Sequence, residues 1–165
     1  METTLTRDTR FALTALTALG VLAVACGQRP APGLMPASPP TDLKAAAAAL
    51  YEAYGSALAT PRRGAIAGFY HQDGALVVLN GVSRRLTRAE LEAKYQGAWS
   101  PPAFFAWDAL AFDPIGPAEV IVTGGFRWQS AGRPDTVPYI YAALLVAVDS
   151  GLAIIFEHET IRPSP

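Results

Sequence analysis

The chain has 165 residues, 51% of them hydrophobic and only 16% charged, which suits one folded domain with residues to spare and excludes a disordered chain. Thirteen basic against fourteen acidic residues leave a net charge of −1, so the chain lacks the electrostatic footprint of a nucleic-acid binder. A single cysteine excludes an internal disulfide and needs another explanation.

Arg7 and Arg10 precede an uncharged stretch over residues 11–25, the pattern of a charged n-region and the apolar h-region of an export signal. A permanent transmembrane helix would need about 20 such residues. The stretch ends Leu22-Ala23-Val24-Ala25-Cys26-Gly27, which resembles the lipobox of bacterial lipoproteins. That resemblance implies cleavage before Cys26, acylation of its thiol, and a membrane as partner through that lipid. The expected product is secreted across the inner membrane and lipid-anchored at the cell envelope. Its net charge is unchanged, because Glu2 and Asp8 balance Arg7 and Arg10 in the lost segment. Residues 26–41 hold Pro30, Pro32, Pro36, Pro39 and Pro40 and read as an extended tether of up to about 40 Å.

Folded structure is expected over residues 42–161, with 162–165 as a tail. Leu43, Ala47, Leu50, Tyr54 and Leu58 recur at helical spacing behind Thr41 or Asp42 as cap. Thr60-Pro61 opens a short second helix, with Ile66, Phe69 and Tyr70 on its apolar face. A strand over 75–79, the Asn80-Gly81 turn and a strand over 82–86 read as a hairpin. Thr87 and Glu90 have capping-box spacing and start a third helix reaching about Gly97. Four strands should follow, near 103–112, 119–129, 136–148 and 152–161, with Asp149-Ser150-Gly151 as the last turn. Helices first and long antiparallel strands afterwards give an α+β domain.

The order of Phe69-Tyr70-His71-Gln72-Asp73-Gly74-Ala75, Asn80-Gly81, Val122-Thr123-Gly124 with Phe126-Arg127, and Ile154-Ile155-Phe156-Glu157-His158-Glu159-Thr160 resembles SnoaL-like, polyketide-cyclase-like members of the nuclear transport factor 2-like superfamily. Where relatives often open the last strand with tryptophan, this chain has Leu152. The resemblance implies a cone-shaped curved antiparallel sheet wrapped around N-terminal helices, a pocket at its open end, and a homodimer across the outer sheet face. It does not imply one chemistry, because the fold carries isomerases, dehydratases, cyclases and binding modules.

Strand alternation groups Ile154, Phe156 and His158 on one face and Ile155, Glu157 and Glu159 on the other. With Ile154 and Phe156 inward, His158 becomes the candidate pocket base, and Asp73 the residue that would orient it or take a proton. Tyr54, Tyr70, Tyr95 and Trp99 are expected to line an apolar pocket, and Asp108, opposite Trp107 in its strand, is a further pocket candidate. Arg127 should lie on the other face from Phe126 and Trp128. His71, Asp73 and His158 match no metal-binding spacing, and no cofactor motif occurs. The uncharged run over 137–148 points to a strand covered on both faces, hence to the homodimer. The reading that follows is an envelope lipoprotein with a non-catalytic domain for a small apolar ligand or a partner. The alternative is a cofactor-free lyase or isomerase working by general acid/base catalysis.

Overall fold

The computed structural model describes residues 42–60, 63–97 and 99–163. The export signal, Cys26 and the proline-rich tether lie outside the described residues. No helix among the described residues is long and apolar enough to cross a membrane.

Helix α1, Leu43–Ala59, starts at Asp42, whose carboxylate accepts from the N–H of Ala45 at 3.0 Å. Its buried stripe is Ala47, Tyr51, Tyr54, Gly55, Ala57 and Leu58. Gly55 is there for a steric reason. A Cβ at this position would stand 2.6 Å from Nε1 of Trp107, so its absence lets the indole rest on the helix. The seated Trp107 donates its N–H to the Tyr51 carbonyl at 3.2 Å. A short helix α2, Arg63–Ile66, and a 3₁₀ turn, Ala67–Phe69, lead to the sheet. Helix α3, Arg88–Gln96, opens with the full capping box of Thr87 and Glu90.

The strands are β1 (Ala75–Leu79), β2 (Val82–Leu86), β3 (Phe104–Trp107), β4 (Ala111–Pro114), β5 (Glu119–Gln129), β6 (Val137–Val148) and β7 (Gly151–Ile161). They form one sheet in the order β2-β1-β7-β6-β5-β3, with β4 also on β5. The fold is α+β, with a curved, unclosed sheet over three helices. Asn80 and Gly81, both at positive φ, make the tight turn between β1 and β2.

Two features differ from the sequence expectation. One pair, β1 with β7, is parallel, because the chain returns to the hairpin edge only with its last strand. The strand expected over 103–112 is two strands. Both pair with β5, and residues 108–110 step out between them. Gly124 makes the step possible: a Cβ there would lie 2.5 Å from the Ala109 carbonyl oxygen.

Inner and outer sheet faces follow from register, since directly paired residues share a face. On β6 the buried Tyr141, Ala143 and Leu145 point inward, opposite the inward Gly124, Val122 and Val120 of β5. On β7 the pairing slips. Leu145 pairs with Ile154, but Leu144 pairs with Phe156, leaving Ile155 as an extra residue. Beyond this bulge the inward residues are Glu157, opposite Ala143, and Glu159, opposite Tyr141.

Candidate functional site

The bulge at Ile155 reverses the expected assignment of the last strand. Ile154 faces inward as expected, but Phe156 and His158 face outward with Leu144 and Ala142. The expected catalytic pair is therefore not assembled. His158 lies on the outer sheet face. Asp73 is an exposed turn residue whose N–H donates to Nδ1 of His71 at 3.2 Å, and whose carboxylate stands 3.6 Å from that nitrogen. No hydrogen bond or ion pair joins Asp73 to His158 among the described residues. Asp108 also lies outside the cavity. It accepts from Nε of the outward Arg127 at 3.1 Å, because it follows the inward Trp107 and so points to the outer side.

The carboxylates that do face inward build two connected sites. Glu157 is 2% exposed and is the one charged side chain buried among the described residues. Oε1 accepts from Tyr141 at 2.8 Å and Tyr54 at 3.1 Å, and Oε2 from Tyr70 at 2.6 Å. Tyr51 lies 2.8 Å from the Tyr141 hydroxyl, and Tyr95 lies 2.9 Å from that of Tyr70. Each phenol has one proton, so the chains run Tyr51 to Tyr141 to Glu157 and Tyr95 to Tyr70 to Glu157. Tyr54 gives its proton to Glu157 or to Tyr70, 2.9 Å away. Five of the six tyrosines thus converge on one acceptor. Every side-chain oxygen and nitrogen wholly cut off from solvent among the described residues has a partner. Burial is the main reason that the Tyr51, Tyr54, Tyr70 and Tyr141 hydroxyls are held well above their ordinary range. These tyrosines are hydrogen-bond donors across any working pH.

Above this hub lies a cavity of about 220 Å³. All three tryptophans of the chain, Trp99, Trp107 and Trp128, line it. Phe105 and Phe126 continue the aromatic wall, with Tyr139 stacked on Phe126 at a ring separation of 4.6 Å. Tyr54 and Tyr95 join the wall with their rings while their hydroxyls reach down into the hub. Of the residues expected here, Tyr54, Tyr95 and Trp99 meet in this cavity, and Tyr70 sits behind it in the hub.

Two charged side chains reach the cavity, Glu159 and Lys94. The Glu159 carboxyl makes no hydrogen bond among the described residues. Burial against the aromatic wall, then the nearby Glu157, raises its pKa from 4.5 to about 8, with Lys94 pulling the other way. At neutral pH the wall therefore presents a protonated carboxyl with its donor and acceptor both unspent. Lys94 is held to one side, its Nζ 4.9 Å over the Tyr95 ring. Among the described residues no group of three His, Cys, Asp or Glu side chains is placed to hold a metal ion.

Sequence alternation missed Glu157 and Glu159 because it carried a strict two-residue period through the bulge. A usable signal was present: two acids spaced i, i+2 in a strand otherwise mostly apolar.

No protein-family model and no curated protein matches the chain by sequence. Solved structures do match. An NTF-2-like protein of unknown function from Shewanella oneidensis superposes with a TM-score of 0.60 at 15% identity, covering 70% of this chain and 97% of its own. A protein assigned as a ketosteroid isomerase from Parabacteroides distasonis gives 0.59 at 13% identity, over 74% of this chain and 89% of its own. A hexachlorocyclohexane dehydrochlorinase from Novosphingobium barchaimii gives 0.59 at 12%, over 72% and 86%. At such identities the likeness establishes architecture and leaves chemistry to the residues of this site. The described domain has the nuclear transport factor 2-like cone fold.

Proposed function

We propose that this domain binds a small, flat, largely apolar molecule in the tryptophan-lined cavity, with the protonated Glu159 carboxyl as its hydrogen-bond anchor. The observation that carries this reading is a carboxyl without a hydrogen-bond partner among the described residues, in a wall otherwise mostly aromatic. The volume of about 220 Å³ suits one or two fused rings, below the range of about 300–1,000 Å³ typical of drug-sized ligands. Aromatic walls favour a planar ligand through stacked and edge contacts. Calorimetric titration with 2-naphthol is a direct test. Binding of roughly 10–100 µM is expected for so few heavy atoms. Glu159→Leu should weaken it about fivefold through the lost hydrogen bond. No heat of binding at millimolar ligand would refute the proposal.

A second reading is cofactor-free general acid/base catalysis, favoured by one feature: a carboxyl near 8 can give and take a proton close to neutral pH. Folds of this kind include an isomerase and a dehydrochlorinase, as named above. In this reading Glu159, rather than His158, moves the proton. Turnover of any substrate should then collapse in Glu159→Gln while His158→Gln retains it.

Two further proposals rest mainly on sequence. The lipobox-like end at Cys26 supports lipid anchoring at the cell envelope. Cys26→Ser in the full chain should abolish incorporation of labelled fatty acid, and unchanged labelling would refute it. The outer sheet face supports self-association: Ile121 and Ile140 are 37% and 41% exposed, with Ala142, Leu144 and Phe156 beside them. A second copy of the same face is the proposed cover.

A further inference from the structure

The aromatic cavity is not closed on the side of the β1–β2 hairpin. Leu79 and Lys94 line it and also line an adjoining trough of about 410 Å³. The trough runs along the inner face of the hairpin, over Val77, Val82 and Leu86, with Arg84 between the last two. Pairing fixes this placement, since Arg84 stands opposite the inward Val77, and Val82 opposite Leu79. Helix α3 leaves part of this face uncovered: Leu79 is 44% exposed and Val82 64%. Exposed apolar residues beside two cations, on a surface continuous with a ligand-sized cavity, need an explanation that a surface strand does not supply.

The charge balance around the trough is one-sided. Neither Lys94 nor Arg84 forms an ion pair among the described residues. Glu90, the acid that feels the field of Arg84, is tied to the N–H and hydroxyl of Thr87, both at 2.8 Å. Glu159 is protonated at neutral pH and so leaves Lys94 uncompensated.

Resting on the cavity as a ligand site, we infer that its ligand is an anionic amphiphile: a flat ring system in the tryptophan cavity, a short aliphatic arm over Leu79 and Val82, and a carboxylate between Lys94 and Arg84. Ring and arm bury apolar surface on both halves of the site. The anion meets two cations that form no ion pair among the described residues, Lys94 half-buried and Arg84 exposed.

The test compares 4-(2-naphthyl)butanoate with its methyl ester on the full-length protein by calorimetry. The acid is expected to bind about tenfold tighter than the ester, an advantage that shrinks in about 0.5 M salt. In the Lys94→Gln/Arg84→Gln variant the ratio of the two affinities should fall to near one. The exposed single variant Arg84→Gln should lower it part of the way. Equal affinity of acid and ester for the wild-type protein would overturn the inference while leaving the cavity as a site. A ratio that survives the double substitution would also overturn it, since the anion would then rest elsewhere. Failure of both probes, and of 2-naphthol, would instead remove the cavity reading itself.

Discussion

Glu157 and Glu159 sit two residues apart on one face of one strand and are put to opposite uses. Glu157 accepts hydrogen bonds from tyrosine hydroxyls on both oxygens, so its buried carboxyl is satisfied by donors rather than by a cation. Glu157→Ala leaves three phenols without their acceptor and should cost roughly 3–5 kcal/mol in chemical denaturation. Glu157→Gln keeps the volume and one acceptor oxygen and should cost clearly less. Equal losses would mean that the one acceptor oxygen glutamine retains does nothing for the hub, against donors shared over both oxygens. Glu159 has no such support, and its stability signature has the opposite sign from that of a paired acid. Above pH 4.5 its unfolded form gives up the proton, while the folded form keeps it until about 8. The unfolded state then binds fewer protons, so stability should fall steadily between those values. Melting temperatures across this window should show the decline in wild-type protein and a flatter profile in Glu159→Gln. Identical slopes would mean that Glu159 is not held protonated.

At the scale of single elements, the starts of α1 and α3, the hairpin and three of the long strands were legible in the sequence, because caps, a two-residue turn and apolar periodicity are local signals. Thr87 with Glu90 and Asn80 with Gly81 form the structures their spacing predicts. What local signals do not carry is register across strands. The extra residue at Ile155 exists only relative to β6, and it alone decides that two acids rather than His158 point inward. The step between β3 and β4 is likewise defined by the shared partner β5 and by the room Gly124 leaves. The aromatic half of the site was easier to read than the acidic half, since Tyr54 and Tyr95 lie on helices without such shifts and Trp99 follows close behind α3. Gly55 shows how narrow the fit between elements is. Gly55→Ala would push a methyl into the Trp107 indole and should cost about 1–3 kcal/mol despite alanine's better helix propensity. A stabilised Gly55→Ala protein would show that the indole is not seated on α1.

For the molecule as a whole, the sheet separates two surfaces with different work: an inner one of tyrosines, tryptophans and two acids, and an outer one that is apolar around Ile140. If the outer face pairs two copies, Ile140→Lys should convert the protein to a monomer in sedimentation without altering ligand affinity. A wild-type monomer at micromolar concentration would refute that arrangement. The inner face carries the central claim, and the three indole N–H groups make it directly observable. They all belong to cavity tryptophans, so each of the three indole signals in a ¹H–¹⁵N spectrum reports on the site. On titration with 2-naphthol, all three should move together and saturate at one affinity, and the same titration of Glu159→Leu should saturate later. Indole signals that stay fixed while amides of the outer face shift would contradict the account.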